Sequence, residues 1–162
     1  MSGIEVRPAE ADADIASARA LFEDYERWTG VDLSFQNFAE ELRTLPGNYA
    51  APGGALFLAF AETPGQPGGC IAVRRIDEAD CEMKRLFVRD TFRGLGMGES
   101  LATAASDWAR EAGYARMLLD TLPSMGSAHR LYERLGFAET SAYRHNPVPG
   151  ARFMALSLAR LS

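Results

Sequence analysis

Cysteine and histidine are scarce in these 162 residues: Cys70, Cys81, His129 and His145 are all there are. They show no C-x-x-C spacing and no second pair, so a Cys/His zinc site cannot be assembled in the usual way, and no metal is expected. Two thiols without a framework read as reduced, in a cytoplasmic protein. No window approaches eighteen apolar residues without a charge, and residues 1–7 lack a basic stretch followed by an apolar run, so neither a membrane span nor a signal peptide is expected. A basic surplus is lacking as well. Seventeen Lys and Arg against 22 Asp and Glu leave a formal charge of -5, which argues against a general nucleic-acid or anionic-membrane surface. Nothing repeats at a fixed period and no low-complexity tract interrupts the chain, which excludes a solenoid.

What is present is the balance of a folded domain, 47% apolar and 24% charged. At this length folding hides about 68–70% of the unfolded surface, enough for a core without staples, and residues 1–162 read as one domain. A brief strand over 4–7 precedes a helix in which Ile15, Ala18, Phe22 and Tyr25 recur at helical spacing, joined by Leu21 and Trp28. Ser34 reads as the cap of a second helix with Phe35, Phe38, Leu42 and Leu45 on one side. Apolar runs at 55–61 and 70–76 flank a Pro/Gly-rich loop, and 82–88 is a third extended segment, together an antiparallel meander. A helix over 98–112 stops at Gly113. A buried strand follows over 117–121, then a helix over about 124–135 that ends at Gly136. Strand, glycine-rich bend, helix and strand in succession predict a βαβ crossover inside a mixed sheet.

The segment with the most chemical content is Arg93-Gly94-Leu95-Gly96-Met97-Gly98, between a strand and the start of a helix. Glycines let backbone amides approach an anion, and the helix N-terminus adds unpaired N–H groups and the positive end of a dipole. A P-loop would end in Gly-Lys-Ser/Thr, whereas Gly98 is followed by Glu99 and Ser100. A Rossmann fingerprint would be spaced G-x-G-x-x-G after the first of several βαβ units. Neither pattern is met, and on spacing alone a tight turn without a ligand stays open.

A second motif, Leu131-Tyr132-Glu133-Arg134-Leu135-Gly136-Phe137, follows at helix-plus-strand distance. In this order and separation the two motifs resemble the GNAT superfamily of acyl-CoA-dependent N-acetyltransferases, most strongly over residues 81–137. The first is similar to the family's Arg/Gln-x-x-Gly-x-Gly/Ala loop and the second to its Leu-Tyr-x-x-x-Gly-Phe signature. The resemblance implies an α/β (α+β) fold: a mixed, mostly antiparallel sheet, splayed at the cofactor site and flanked by helices. It implies acetyl-CoA as cosubstrate, its pyrophosphate on the amides of Arg93, Gly94, Leu95, Gly96, Met97 and Gly98. The pantetheine arm would lie along the backbone of Leu86, Phe87 and Val88, as an added strand would. Arg93 would pair with phosphate or simply be solvated.

The resemblance also places Tyr132 where many members carry the general acid that protonates the departing thiolate. The residues themselves leave packing open, since Tyr132 shares an apolar stripe with Ala128, Leu131 and Leu135. Glu82 matches a location of acidic bases in some members, with pairing to Arg74 or Arg75 as the plain alternative, and Asp120 is a weaker candidate. Many relatives carry an asparagine where this chain has Met125, with Ser124 or Ser127 as substitutes. Tyr25, Trp28 and Phe35 would wall the acceptor site or belong to the core, and the 143–150 loop would close its other side, with His145 read as solvated. The expected reaction is direct attack of a primary amine on the thioester in a ternary complex. A catalytically silent acyl-CoA-binding or sensory domain is the alternative. Expected partners are a small-molecule or peptide amine acceptor, with neither nucleic acid nor membrane among them, and self-association as a homodimer is admitted.

Overall fold

A computed structural model describes residues 3–62, 65–122 and 126–158, without the side chains of Phe35 and Ser127. Seven strands, β1 Glu5–Pro8, β2 Ala55–Phe60, β3 Gly69–Arg75, β4 Asp80–Val88, β5 Arg116–Thr121, β6 Ala138–Glu139 and β7 Arg152–Ser157, form one sheet in the order β1-β2-β3-β4-β5-β7-β6. Every neighbouring pair is antiparallel except β4 and β5. That parallel pair needs a crossover, supplied by α3, Met97–Glu111. The expected mixed, mostly antiparallel sheet with flanking helices is therefore what forms.

Both faces are covered, which is why β2, Ala-Leu-Phe-Leu-Ala-Phe, is apolar throughout. Phe57 and Ala59 join Ile71, Leu101 and Ala105 under α3, and Leu131 and Tyr132 of α4, Gly126–Arg134, belong to the same cluster. Leu56, Leu58 and Phe60 face the other way, onto Ala18, Leu21 and Phe22 of α1, Asp12–Thr29, and Phe38 of α2, Phe38–Thr44. Deep in the α4 side, His129 Nδ1 accepts from Arg152 at 3.1 Å and Nε2 meets Thr121 Oγ1 at 2.9 Å, tying α4 to β5 and β7. Arginine can only donate, so this imidazole is neutral, and burial followed by the Arg152 charge lowers its pKa.

One element departs from the sequence reading. Ser34 does not cap a helix; its amide donates to the Asp32 carboxylate at 2.9 Å, and Leu33–Gln36 form only a 3-10 turn. Asn37 then takes a left-handed conformation, φ 58°, and α2 starts after it. Asparagine tolerates that conformation through local hydrogen bonding, which the apolar periodicity does not report.

Two irregularities in β4 position the site. β5 pairs with it only at Asp80, Cys81 and Glu82, after which the strands part and the outer edge of residues 83–88 has no strand beside it. Between Lys84, opposite Ala72, and Phe87, opposite Cys70, β4 carries one extra residue, a bulge with Arg85 at φ 61°. A non-glycine residue in that region is strained. Two 2.8 Å bonds from Arg85 to the Glu41 carboxylate hold it, with the Phe38 ring 4.9 Å from the guanidinium.

Candidate active site

The glycine loop and the open strand edge make the two sides of one cleft of about 460 Å³, bordered by Leu86, Val88, Arg93, Gly96 and Leu131. Gly94 and Gly96 stand at φ +83° and +82°, and a Cβ at either would meet no atom within 4 Å. These glycines are needed for backbone conformation, not for room inside the protein. The amides of residues 94–99 donate to no other group among the described residues, and they surround the N-terminus of the 15-residue α3. Six free N–H groups at the positive end of a helix dipole are an anion cradle. Arg93 lines the cleft but is occupied: Nε donates to Val88 O at 3.0 Å, the guanidinium meets Asp90 at 2.6 Å, and it lies 4.9 Å from the half-exposed Trp28 ring.

At its inner end the cleft shares Trp28, Leu86 and Ala128 with a small recess of about 40 Å³. Tyr132, Asp120, Tyr25 and Lys84 also border this recess. Tyr132 is 6% exposed, its ring packed 5.6 Å from that of Phe137, yet its hydroxyl has no hydrogen-bond partner among the described residues. Burial, reinforced by Tyr25 and Asp120, pushes its pKa up, so the phenol is protonated at any ordinary pH. The Asp120 carboxylate accepts from Asn146 Nδ2 at 3.0 Å, and Asn146 Oδ1 accepts from the Val148 amide at 3.0 Å, which pins the 143–150 loop beside the recess. Lys84 is pushed down to about 8, mainly by burial and then by the Arg85 charge.

Glu82 stands elsewhere. Its side chain is fully buried, Oε1 accepting from Arg74 at 2.7 Å and Arg144 at 2.6 Å and Oε2 from the Tyr143 hydroxyl at 2.6 Å. It borders neither the cleft nor the recess. Arg74 is thus the partner that the alternative reading named. Tyr25 and Trp28 do border the recess, whereas His145 is exposed. Met125 and Ser124 lie outside the described residues, as do the side chains of Ser127 and Phe35. Sequence reasoning missed Lys84 and Arg85, and it placed the 143–150 loop at the acceptor side without giving Tyr143, Arg144 or Asn146 a role of its own. A signal was present for Lys84 and Arg85, two adjacent charges in the middle of a strand whose other charged residues are Asp80 and Glu82.

No helix among the described residues is long and apolar enough to cross a membrane. Residues 16–137 match the family model for the acetyltransferase (GNAT) family. An uncharacterised N-acetyltransferase of Schizosaccharomyces pombe is 36% identical over 160 residues, 98% of either chain. A solved structure from Klebsiella pneumoniae described as an acyl-CoA N-acyltransferase superposes with a TM-score of 0.76 at 25% identity, covering 98% of this chain and 100% of that one. A Salmonella typhimurium acetyltransferase, solved with its cofactor acetyl-CoA, has the same fold with a TM-score of 0.69 at 21% identity, over 99% and 96% of the two chains. With the sheet, the cradle and these relatives in agreement, the chain belongs to the GNAT family of acetyltransferases.

Proposed function

We propose that this acetyltransferase moves an acetyl group from acetyl-CoA to a primary amine by direct attack in a ternary complex, with Tyr132 as general acid and Asp120 as the group that takes up the amine's proton. The observation that carries this reading is that Tyr132, whose hydroxyl has no partner among the described residues, borders the recess that adjoins the cleft. A tyrosine serving only as core would have its hydroxyl satisfied.

The residues fit the cofactor. The free amides of residues 94–99 would receive the pyrophosphate, and the strand edge at Leu86, Phe87 and Val88 would pair with the amides of the arm. When bound, acetyl-CoA supplies an acyl group activated as a thioester. Tyr132, protonated and facing the junction, gives its proton to the leaving sulfur as charge develops there. Asp120, held by Asn146, accepts a proton from the attacking nitrogen directly or through water. Trp28 and Leu86 exclude water from the junction. Glu82, three times bonded and without access to the cleft, is a positioning residue in this reading: it holds Arg74, Tyr143 and Arg144.

Acetyl-CoA at about a hundred times its dissociation constant is expected to stabilise the protein by about 2.7 kcal/mol, a melting shift of roughly 5–10 °C. ATP and NAD at the same concentration are expected to give none, because the cradle is followed by Glu99 instead of a P-loop lysine. An equal shift with ATP in differential scanning fluorimetry would remove the cofactor assignment.

The two carboxylates separate by variant. Asp120→Asn keeps an acceptor for Asn146 and is expected to lower kcat by roughly 10²-fold with little change in melting temperature. Glu82→Gln leaves buried guanidinium charge uncompensated and is expected to cost about 3–5 kcal/mol of stability. Normal melting with lost turnover in Glu82→Gln would return the base to Glu82.

A further inference from the structure

A third recess, of about 220 Å³, adjoins the reaction recess and shares Gln36 and Lys84 with it. Its charges do not balance. Arg43 is matched by Glu40, and Arg85 by Glu41. Arg74 and Arg144, by contrast, share the single carboxylate of Glu82 and land on the same oxygen. Lys84, 8% exposed, makes no ion pair among the described residues; one ammonium proton goes to Gln36 Oε1 at 3.0 Å. Arg144 Nε is the one side-chain nitrogen or oxygen among the described residues that is fully enclosed and has no hydrogen-bond partner. Of the residues lining the recess, Arg74, Lys84 and Arg144 are basic and Glu40 and Glu41 are acidic, and both acids are already paired, in a chain whose net charge is -5.

Buried donors and charges left without acceptors are costly, and for Lys84 only Gln36 and the fields of Glu82 and Asp120 offset the burial. Burial, followed by the Arg85 charge, depresses the pKa of Lys84, and an anion placed against it would oppose both. We infer that the acceptor is a small amine bearing a carboxylate, which Lys84 and Arg144 receive in this recess while the amine stands beside Asp120 and Tyr132. The inference rests on the acyl-transfer reading above and names the substrate class for the same site. A carboxylate has four lone-pair positions and makes short, charge-assisted hydrogen bonds with ammonium and guanidinium groups. Lys84 borders both recesses, so an amine and a carboxylate only a few bonds apart, as in an amino acid, span them. An amine without the carboxylate would leave the donors unpaired, and a polar site discriminates most strongly against such an analogue.

The test compares free L-amino acids, β-alanine and 4-aminobutyrate with their amides and with the matching decarboxylated amines. Thiol release from acetyl-CoA is followed, and binding to the CoA-loaded protein is measured by calorimetry. At least one acid is expected to exceed its amide in kcat/KM by roughly 100-fold or more. Lys84→Met keeps the stem and removes the buried charge, so the fold should hold, as a melting curve will check. It is expected to raise KM for the acid by at least roughly 30-fold and to leave that of the amide nearly unchanged. Arg144→Gln should act in the same direction. Amides and plain amines used as well as acids, or an equal loss for both in Lys84→Met, would overturn the inference. If no compound releases thiol, the acyl-transfer reading fails on its own, and calorimetry still decides the recess. Acid binding weakened by Lys84→Met upholds it; binding that is absent or unchanged overturns it.

Discussion

Turnover of the Tyr132→Phe variant is expected to fall by roughly 10²–10⁴ while its affinity for acetyl-CoA stays near that of the parent protein. The expectation is sharp because the hydroxyl bonds to nothing among the described residues. Removing it leaves no buried partner unsatisfied, and the ring keeps its place against Phe137. Stability should therefore change by less than about 0.5 kcal/mol, the scale of a substitution that breaks no packing, cap or polar network. A proton donated to sulfur matters only as negative charge develops there, so the loss belongs in kcat and not in binding. Melting temperature, acetyl-CoA dissociation constant and kcat have to be measured on the same preparation. Full turnover would return the hydroxyl to a packing role and leave water, or another donor, as the acid.

For Gly96→Val the expected result is the reverse, a loss of at least roughly 100-fold in acetyl-CoA affinity, about 2.7 kcal/mol, in a protein that still folds. At φ +82° an L-residue costs roughly 1–2 kcal/mol, and a β-branched one is especially ill suited. The space around the position is open, so the folding cost is confined to backbone conformation. Relieving that strain turns the amides of residues 94–99 away from their common centre, and the cradle is lost. Gly113→Val supplies the comparison: φ is +94°, the surroundings are equally empty, and the position lies beyond the far end of α3. It should lose comparable stability and keep its affinity. Equal affinity losses in both variants would mean that general destabilisation, not the cradle, is being read.

The glycine loop was legible because everything that makes it is local. Alternate glycines, a strand before them and a helix of period 3.6 after them lie within one stretch of chain, and the left-handed φ at Gly94 and Gly96 follows from residue type. Tyr132 was a candidate only through the resemblance to the family, because its apolar stripe alone reads as packing. Whether a tyrosine on an apolar stripe finds a partner depends on what shares its surroundings, here Tyr25 of α1 and Asp120 of β5, which border the same recess without bonding to its hydroxyl. Both boundaries of α3 and the end of α4 moved by only a residue from the periodic pattern, while the expected start of α4 lies outside the described residues. The second helix moved more, because a single left-handed asparagine, Asn37, separates a 3-10 turn from α2.

By itself the sequence indicated the order of elements and the glycine loop at the head of α3, through periodicity and residue type, and the family through the resemblance of two motifs. The tertiary structure alone decided which charged residues meet. The Glu82 partners come from β3 and from a loop some sixty residues away, Tyr143 and Arg144, a closure that no local pattern encodes. The extra residue at Arg85 shifts the alternation of β4, so Cys81 and Met83 face the α3 side and Phe87 the α1 side. A strand's side-chain period is two, and one inserted residue exchanges its faces. With β5 leaving after Glu82, that exchange sets Leu86 and Val88 along the cleft, brings Lys84 to the recesses, and leaves Glu82 sealed behind them.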